Sequence, residues 1–281
     1  MSPQTPHGAQ GDRFLLSETQ KTAFKEHGYV HLSGVMATPE LAELEIVYER
    51  FRRGEIPVRG RDFCDMAGDY ARSAADFAVV NIMLPRVYLP SWQGNLYERR
   101  AFSIAEQLCG PDMRLDYDQL LAKRPGSLDA VFAWHQDLAY WPLTPDTRTV
   151  TCWLAIDDAT EENGCLQFVP GSHLEPTLRR HAPLMREREK SHTLVAEMNE
   201  GRDPILPMPI RRGDVLAFRE RVLHGSGGNR SAASWRRAYV VAFRTADTIQ
   251  RERAIGFTHS HNDSPEALAA VAALRPETTV A

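Results

Sequence analysis

Read for the spacing of its apolar positions, the chain changes texture from about Leu115. Before that point the signals are mostly helical. Ser17 followed by Gln20 has the form of a capping box, so a helix is predicted from there to His27, stopping at Gly28. Tyr29-Val30-His31-Leu32 then alternates like a short strand. Pro39 sits at the first turn of a second helix, with Leu41, Leu44 and Val47 following at helical spacing. A third helix is predicted over 96–108, ending at Gly110-Pro111. After it come short β-type runs at 115–123, 131–135, 149–156, 166–169, 205–210, 215–218 and 238–244. Gly126, Asn163-Gly164, Gly171 and Gly213-Asp214 punctuate them. Many short strands at this spacing predict a sandwich or barrel, which manages its edges by closure and leaves an interior for a ligand.

The expected organisation is a single domain over 1–281, mainly β with flanking α-helices. Residues 1–14 read as a flexible tail, 15–110 as a mostly helical part and 111–250 as the β core. A charged, partly helical, lid-like insertion is expected at about 173–204, and a C-terminal segment at 251–281, with a loose Thr-Thr-Val-Ala end. A length of 281 residues and 43% hydrophobic content suit one core large enough to enclose a cavity. A net charge of -4 removes the basic surface that nucleic-acid binding needs. No run of about 18 apolar residues predicts a membrane span, and the first residues lack the apolar stretch of a signal peptide, so a cytoplasmic location is expected. Cys64, Cys109, Cys152 and Cys165 form no C-x-x-C pair and read as small buried hydrophobes.

The candidate chemistry centres on Trp134-His135-Gln136-Asp137. On an extended segment residues i and i+2 face the same side, so His135 and Asp137 point together while Gln136 points away. A second histidine must come from elsewhere, and His224, in a glycine turn after the 215–218 strand, is the candidate. Two histidines and one carboxylate make the facial triad of non-haem iron(II) oxygenases. His27, His31, His173, His181, His192, His259 and His261 read as surface or core residues, with His173 the nearest rival. A keto-acid co-substrate also needs a cation for its far carboxylate. Arg236 and Arg237 open the next strand, and only one of two adjacent residues can face the interior.

His135-Gln136-Asp137-Leu138 with Tyr140 and Pro142 resembles the phytanoyl-CoA dioxygenase family. Further blocks agree in order: Leu16-Ser17 through Glu26-His27-Gly28-Tyr29-Val30, Trp153-Leu154-Ala155-Ile156-Asp157-Asp158, Glu162-Asn163-Gly164-Cys165-Leu166, Val169-Pro170-Gly171-Ser172-His173, and His224-Gly225-Ser226-Gly227 with Arg236-Arg237-Ala238. The resemblance implies a double-stranded β-helix (jelly-roll, cupin-like) core. It implies Fe(II), 2-oxoglutarate and O2, with His135, Asp137 and His224 as metal ligands. It implies Arg236 as the carboxylate clamp, although the loop before it is one residue longer than the family pattern and leaves Arg237 as the alternative. Ser226 and Lys123 are implied contacts of the co-substrate, with Gln119 and Trp153 lining its pocket. The retained Asp137 argues against halogenation, while hydroxylation, desaturation, epoxidation and ring formation all stay open at such a site.

The expected function is therefore a 2-oxoglutarate-dependent dioxygenase oxidising an unactivated C–H bond of a small molecule, a specialised metabolite. The alternatives are an acyl-CoA hydroxylase, a non-oxidative cupin-type metalloenzyme and a binding protein. Trp92, Tyr140 and Trp141 are expected pocket aromatics. The basic run Arg179-Arg180-His181 through Arg186, Arg188 and Lys190 reads either as a cap for an anionic substrate or as a solvated face. The expected partner is a small-molecule substrate, with no nucleic acid or membrane; monomer and homodimer are left open.

Overall fold

The computed structural model describes residues 7–187, 190–199 and 201–274. Strands β1 (Gly8–Gln10) and β2 (Arg13–Leu15) form an antiparallel hairpin. Phe14 is buried, and its amide donates to Ser103 Oγ at 2.8 Å. That anchor corrects the expectation of a loose tail for residues 7–14; residues 1–6 and the Thr-Thr-Val-Ala end lie outside the described residues. Helix α1 (Glu18–His27) begins at the capping box read from the sequence, with Ser17 and Gln20 bonded reciprocally. It ends where Gly28 takes a left-handed φ of 84° and donates to Phe24 O.

The N-terminal part continues through β3 (Tyr29–Leu32), α2 (Thr38–Arg52), β4 (Phe63–Asp65), β5 (Val79–Met83), α3 (Pro85–Tyr88) and α4 (Leu96–Cys109). The strand β3 lies where the sequence predicts one, and this part is less helical than expected because β4 and β5 also join the main sheet. The core follows as β6 (Met113–Lys123), β7 (Phe132–His135), β8 (Thr149–Ala155), β9 (Leu166–Phe168), β10 (His181–Pro183), β11 (Leu194–Ala196), β12 (Leu206–Met208), β13 (Val215–Phe218), β14 (His224–Ser226) and β15 (Arg236–Thr245). Helices α5 (Ala246–Ala254) and α6 (Pro265–Ala273) complete the described chain.

A seven-stranded antiparallel sheet, β3-β13-β8-β15-β6-β5-β4, faces a four-stranded one, β12-β9-β14-β7. The core strands switch back and forth between the two, β6, β8, β13 and β15 lying in the large sheet and β7, β9, β12 and β14 in the small one; the exception is the step from β9 to β12, which stays in the small sheet across the separate β10–β11 hairpin. This alternation is the double-stranded β-helix. Rings lock the sheets together, with Tyr29 stacked on Phe168 at 4.3 Å and Phe168 against Phe218 at 5.5 Å. The period-2 pattern decides which side each residue serves. Leu120, Cys152, Leu154, Tyr239 and Val241 pack outward with Phe24, Leu41, Leu44 and Tyr48 of the helices. Leu121, Trp153 and Val240 pack inward.

Trp92 belongs to the outer layer. It stacks on Tyr239 at 4.7 Å and meets Phe51 at 6.0 Å, which corrects the expectation that it lines a substrate pocket. Truncating a buried aromatic costs ~3–5 kcal/mol. Trp92→Ala is thus expected to lower the urea midpoint sharply while leaving substrate KM unchanged in the protein that remains folded. A shifted KM at unchanged stability would return Trp92 to the pocket.

The insertion is also corrected. Apart from a 3-10 turn at Ser172–Leu174, it carries the β10–β11 hairpin and no α-helix among its described residues. Part of its basic run is paired: Arg179 with Glu175 and Asp203, Lys190 with Glu187. Arg188 lies outside the described residues. Among the described residues no helix is long and apolar enough to cross a membrane.

Candidate metal and co-substrate site

His135 ends β7, His224 opens β14, and the two lie opposite each other in the antiparallel register. Gln136 is extended, at φ -117° and ψ 127°, so Asp137 returns to the face of His135 although it already begins a 3-10 turn (Asp137–Tyr140). The Gln136 side chain points away, donating to Arg221 O at 2.7 Å and accepting from Arg179 N at 2.9 Å. Nε2 of His135 and of His224 lie 3.4 and 3.6 Å from Asp137 Oδ1.

Each imidazole is oriented by its own backbone. His135 Nδ1 donates to Ala133 O at 2.7 Å and His224 Nδ1 to Val222 O at 3.0 Å, which leaves both Nε2 lone pairs for an ion. Thr151 Oγ1 donates to Asp137 Oδ2 at 3.3 Å, leaving Oδ1 with the imidazoles. Burial, with His135 alongside, pushes His224 down to about 4, so it is neutral and ligand-competent near neutral pH. Burial works against the Asp137 carboxylate, but the neighbouring His224 and His135 rings and hydrogen bonds from His135 and Thr151 outweigh it and hold Asp137 below the usual carboxylate range. These three donors suit a divalent transition metal with open positions. His173 lies elsewhere, its Nε2 on Lys25 O at 3.1 Å.

An inner pocket runs from this cluster, lined by Gln119, Thr151, Trp153, Ser226 and Arg236 as well as the cluster itself. Arg236 is 1% exposed, lies 5.2 Å from the Trp153 ring centre, and leaves Nε and one terminal nitrogen without a hydrogen bond. Burial pushes its guanidinium down to about 10. Lys123, fully buried and paired in register with Arg236, donates to Ser226 Oγ at 2.6 Å and to Gly227 O. Burial, and then Arg236, hold Lys123 well below the usual lysine range. Among the described residues neither cation has a carboxylate partner, and buried charge without one is costly. An anion entering this pocket would meet the Arg236 guanidinium. Arg237, on the opposite face of β15, is already committed to Asp157, Glu45 and Glu49 at 2.6, 2.6 and 2.9 Å.

Gln119 also borders an outer cleft, its Nε2 donating to Asn81 Oδ1 at 2.6 Å. Tyr140 and Trp141 line that cleft as expected, joined by Tyr117, Phe257, His192, His259 and His261. The sequence reading missed these last five, which come from β6, the insertion and the C-terminal segment. Only Tyr117 carried a signal, being two residues before Gln119 on a strand. Asp116, Glu252 and His259 form a second buried acidic cluster, but Arg253 holds Asp116 and Arg244 holds Glu252. Guanidinium groups fill the place of an ion there, and the network fastens the C-terminal segment to β6.

The model of the phytanoyl-CoA dioxygenase (PhyH) family matches residues 24–238. The chain belongs to that family. It is accordingly an iron- and 2-oxoglutarate-dependent oxygenase. Peroxisomal phytanoyl-CoA dioxygenase of Mus musculus is 24% identical over 248 residues, covering 84% of this chain and 70% of that protein. An ectoine dioxygenase of Bordetella parapertussis is 27% identical over 241 residues, covering 80% and 74%. Among solved structures, the non-haem α-ketoglutarate-dependent carbocyclase SnoK of nogalamycin biosynthesis superposes with a TM-score of 0.63 at 25% identity, covering 82% of this chain and 85% of that one.

Proposed function

We propose that His135, Asp137 and His224 hold iron(II), that Arg236 clamps the far carboxylate of 2-oxoglutarate, and that the enzyme hydroxylates an unactivated C–H bond of a small organic molecule. The observation carrying this reading is one pocket with an imidazole–imidazole–carboxylate cluster at one end and a buried guanidinium without a carboxylate at the other. When bound, the iron supplies oxidative decarboxylation of the keto acid to succinate and the oxidising power for the C–H bond. The chain's part is placement. The Nδ1 bonds to Ala133 O and Val222 O fix the imidazole planes, and Thr151 steadies the carboxylate. Arg236 offers a fork that matches a carboxylate, Ser226 offers a hydroxyl beside it, and Lys123 adds charge from behind Ser226. Trp153 keeps the guanidinium in place and water away from it.

A specialised metabolite fits better than a coenzyme A ester. Of the basic run that would meet the phosphates of coenzyme A, Arg179 is held by Glu175 and Asp203 and Lys190 by Glu187. The test is a succinate assay with iron(II), 2-oxoglutarate, O2 and a library of both substrate kinds. Acceptors are expected among small ring metabolites; turnover of acyl-CoA esters alone would reverse the assignment.

Asp137 also sets an expected outcome. Its carboxylate takes the ligand place that a halide would need. With labelled O2 and excess chloride, the wild-type product should carry labelled oxygen in mass spectra. A chlorinated product from the wild-type protein would overturn the hydroxylase assignment.

A further inference from the structure

The outer cleft, about 180 Å³, stands in front of the metal cluster, with His135 and Asp137 in its wall. That volume is below the ~300–1,000 Å³ typical of drug-sized sites, so the cleft encloses a compact molecule. Its walls are unusual in kind. Tyr140, His192 and His261 form a continuous stack, 5.0 Å and 10° for the first pair, 3.9 Å and 18° for the second. The three rings come from three separate segments: the turn after His135, the insertion, and the C-terminal segment. Tyr117 and Trp141 meet edge to face at 5.8 Å in the same cavity, and Phe257 lies 4.5 Å from the His259 ring. Rings that hold one another leave little side-chain freedom to lose on binding, and they present flat faces and edges rather than flexible chains.

Few permanently charged groups line the cleft. Among the described lining residues Asp137 is the one carboxylate, and it faces the two metal-site imidazoles. Arg61 is the one permanent cation. It is exposed at the edge of the cleft, its guanidinium 4.7 Å over the Tyr70 ring, and it forms no ion pair among the described residues. A cationic substrate would meet Arg61, and among the described lining residues no carboxylate other than Asp137, engaged with the imidazoles, would answer it. An anionic one finds a cation braced on an aromatic face at the entrance.

We propose that the substrate is a compact, planar ring compound, aromatic or conjugated, carrying one anionic group that Arg61 engages while the ring lies between the aromatic walls. The proposal rests on the reading of His135, Asp137, His224 and Arg236 as the iron and 2-oxoglutarate site. Arg61 is on this view a specificity residue, selecting among substrates without touching the reacting atoms.

The test is anaerobic calorimetry on the protein loaded with iron(II) and then saturated with 2-oxoglutarate. Three probes separate the elements of the claim: 2-naphthoate (ring and charge), 2-naphthamide (ring alone) and octanoate (charge alone). Naphthoate should bind at least about tenfold more tightly than either other probe. In Arg61→Gln, naphthoate should fall to within about threefold of naphthamide, whose own affinity is unchanged. Octanoate binding as tightly as naphthoate, naphthamide matching naphthoate in the wild type, or no binding of either ring probe would each overturn the proposal. The 2-oxoglutarate titration comes first, in the same cell. Its failure would count against the iron and co-substrate site, whereas its success followed by indifference to ring probes would count against the substrate class alone.

Discussion

Purified His135→Ala and His224→Ala proteins are each expected to lose nearly all bound iron and all succinate formation. With three protein donors, removing one leaves a two-donor site whose remaining places go to water. Disturbing only a partner that orients a ligand typically costs about 10–100-fold in metal affinity; losing the ligand itself should exceed that. Two controls make the result specific. Gln136→Ala removes a side chain that points to Arg221 O and Arg179 N, away from the cluster, and should retain iron. His173→Ala removes the nearest rival histidine, which bonds Lys25 O instead, and should retain iron as well. Metal analysis and anaerobic iron(II) titration give the answer directly. Full occupancy in either triad variant, or loss only in His173→Ala, would sink the assignment.

The chemistry was more legible in the sequence than the surroundings of the chemistry. His135 and Asp137 could be placed on one face because Gln136 between them is extended, and that inference survives even though Asp137 has left the strand. The choice between Arg236 and Arg237 could not be made from parity alone, because parity says only that they differ. Glu45 and Glu49 on α2 and Asp157 after β8 draw Arg237 outward, and those pairings join positions more than 75 residues apart along the chain. Strand β5 escaped notice because it is buried on both faces, and a five-residue run without alternation has no period to detect. The insertion looked helical because its charges are dense, but they serve cross-links such as Arg179 to Asp203 rather than a helix surface. Trp92 was a pocket candidate only as an aromatic; which side of the large sheet it covers is decided by tertiary packing on Tyr239. The outer cleft depends most on tertiary structure, since its ring stack is assembled from segments that carry no shared local pattern.

Arg236→Leu and Arg237→Leu should separate in opposite directions. Arg236 is buried beside Lys123 without a carboxylate, and on the proposed reading the co-substrate would supply the charge that completes it. Removing one partner of a buried, hydrogen-bonded charge pair costs ~2–5 kcal/mol. The apparent KM for 2-oxoglutarate should therefore rise by about 30-fold or more in Arg236→Leu. The co-substrate-free protein, relieved of a desolvated cation, should be no less stable than wild type, because replacing buried charge with apolar volume is often neutral or favourable. Arg237→Leu reverses both readouts. It leaves Asp157, Glu45 and Glu49 facing one another without the guanidinium that all three share. Arg237 is 15% exposed, which tempers the loss, so about 3 kcal/mol, the low end for breaking a buried pair, is expected from urea denaturation. Its KM for 2-oxoglutarate should move by less than about threefold. Arg244, buried with Glu252 and Glu220 and not among the residues lining the inner pocket, would join Arg237 in any purely structural account of buried arginines. The decisive observation is thus a strong KM effect without loss of stability, which structure alone cannot produce. A larger KM change in Arg237→Leu than in Arg236→Leu would place the clamp on the other face of β15 and overturn the assignment.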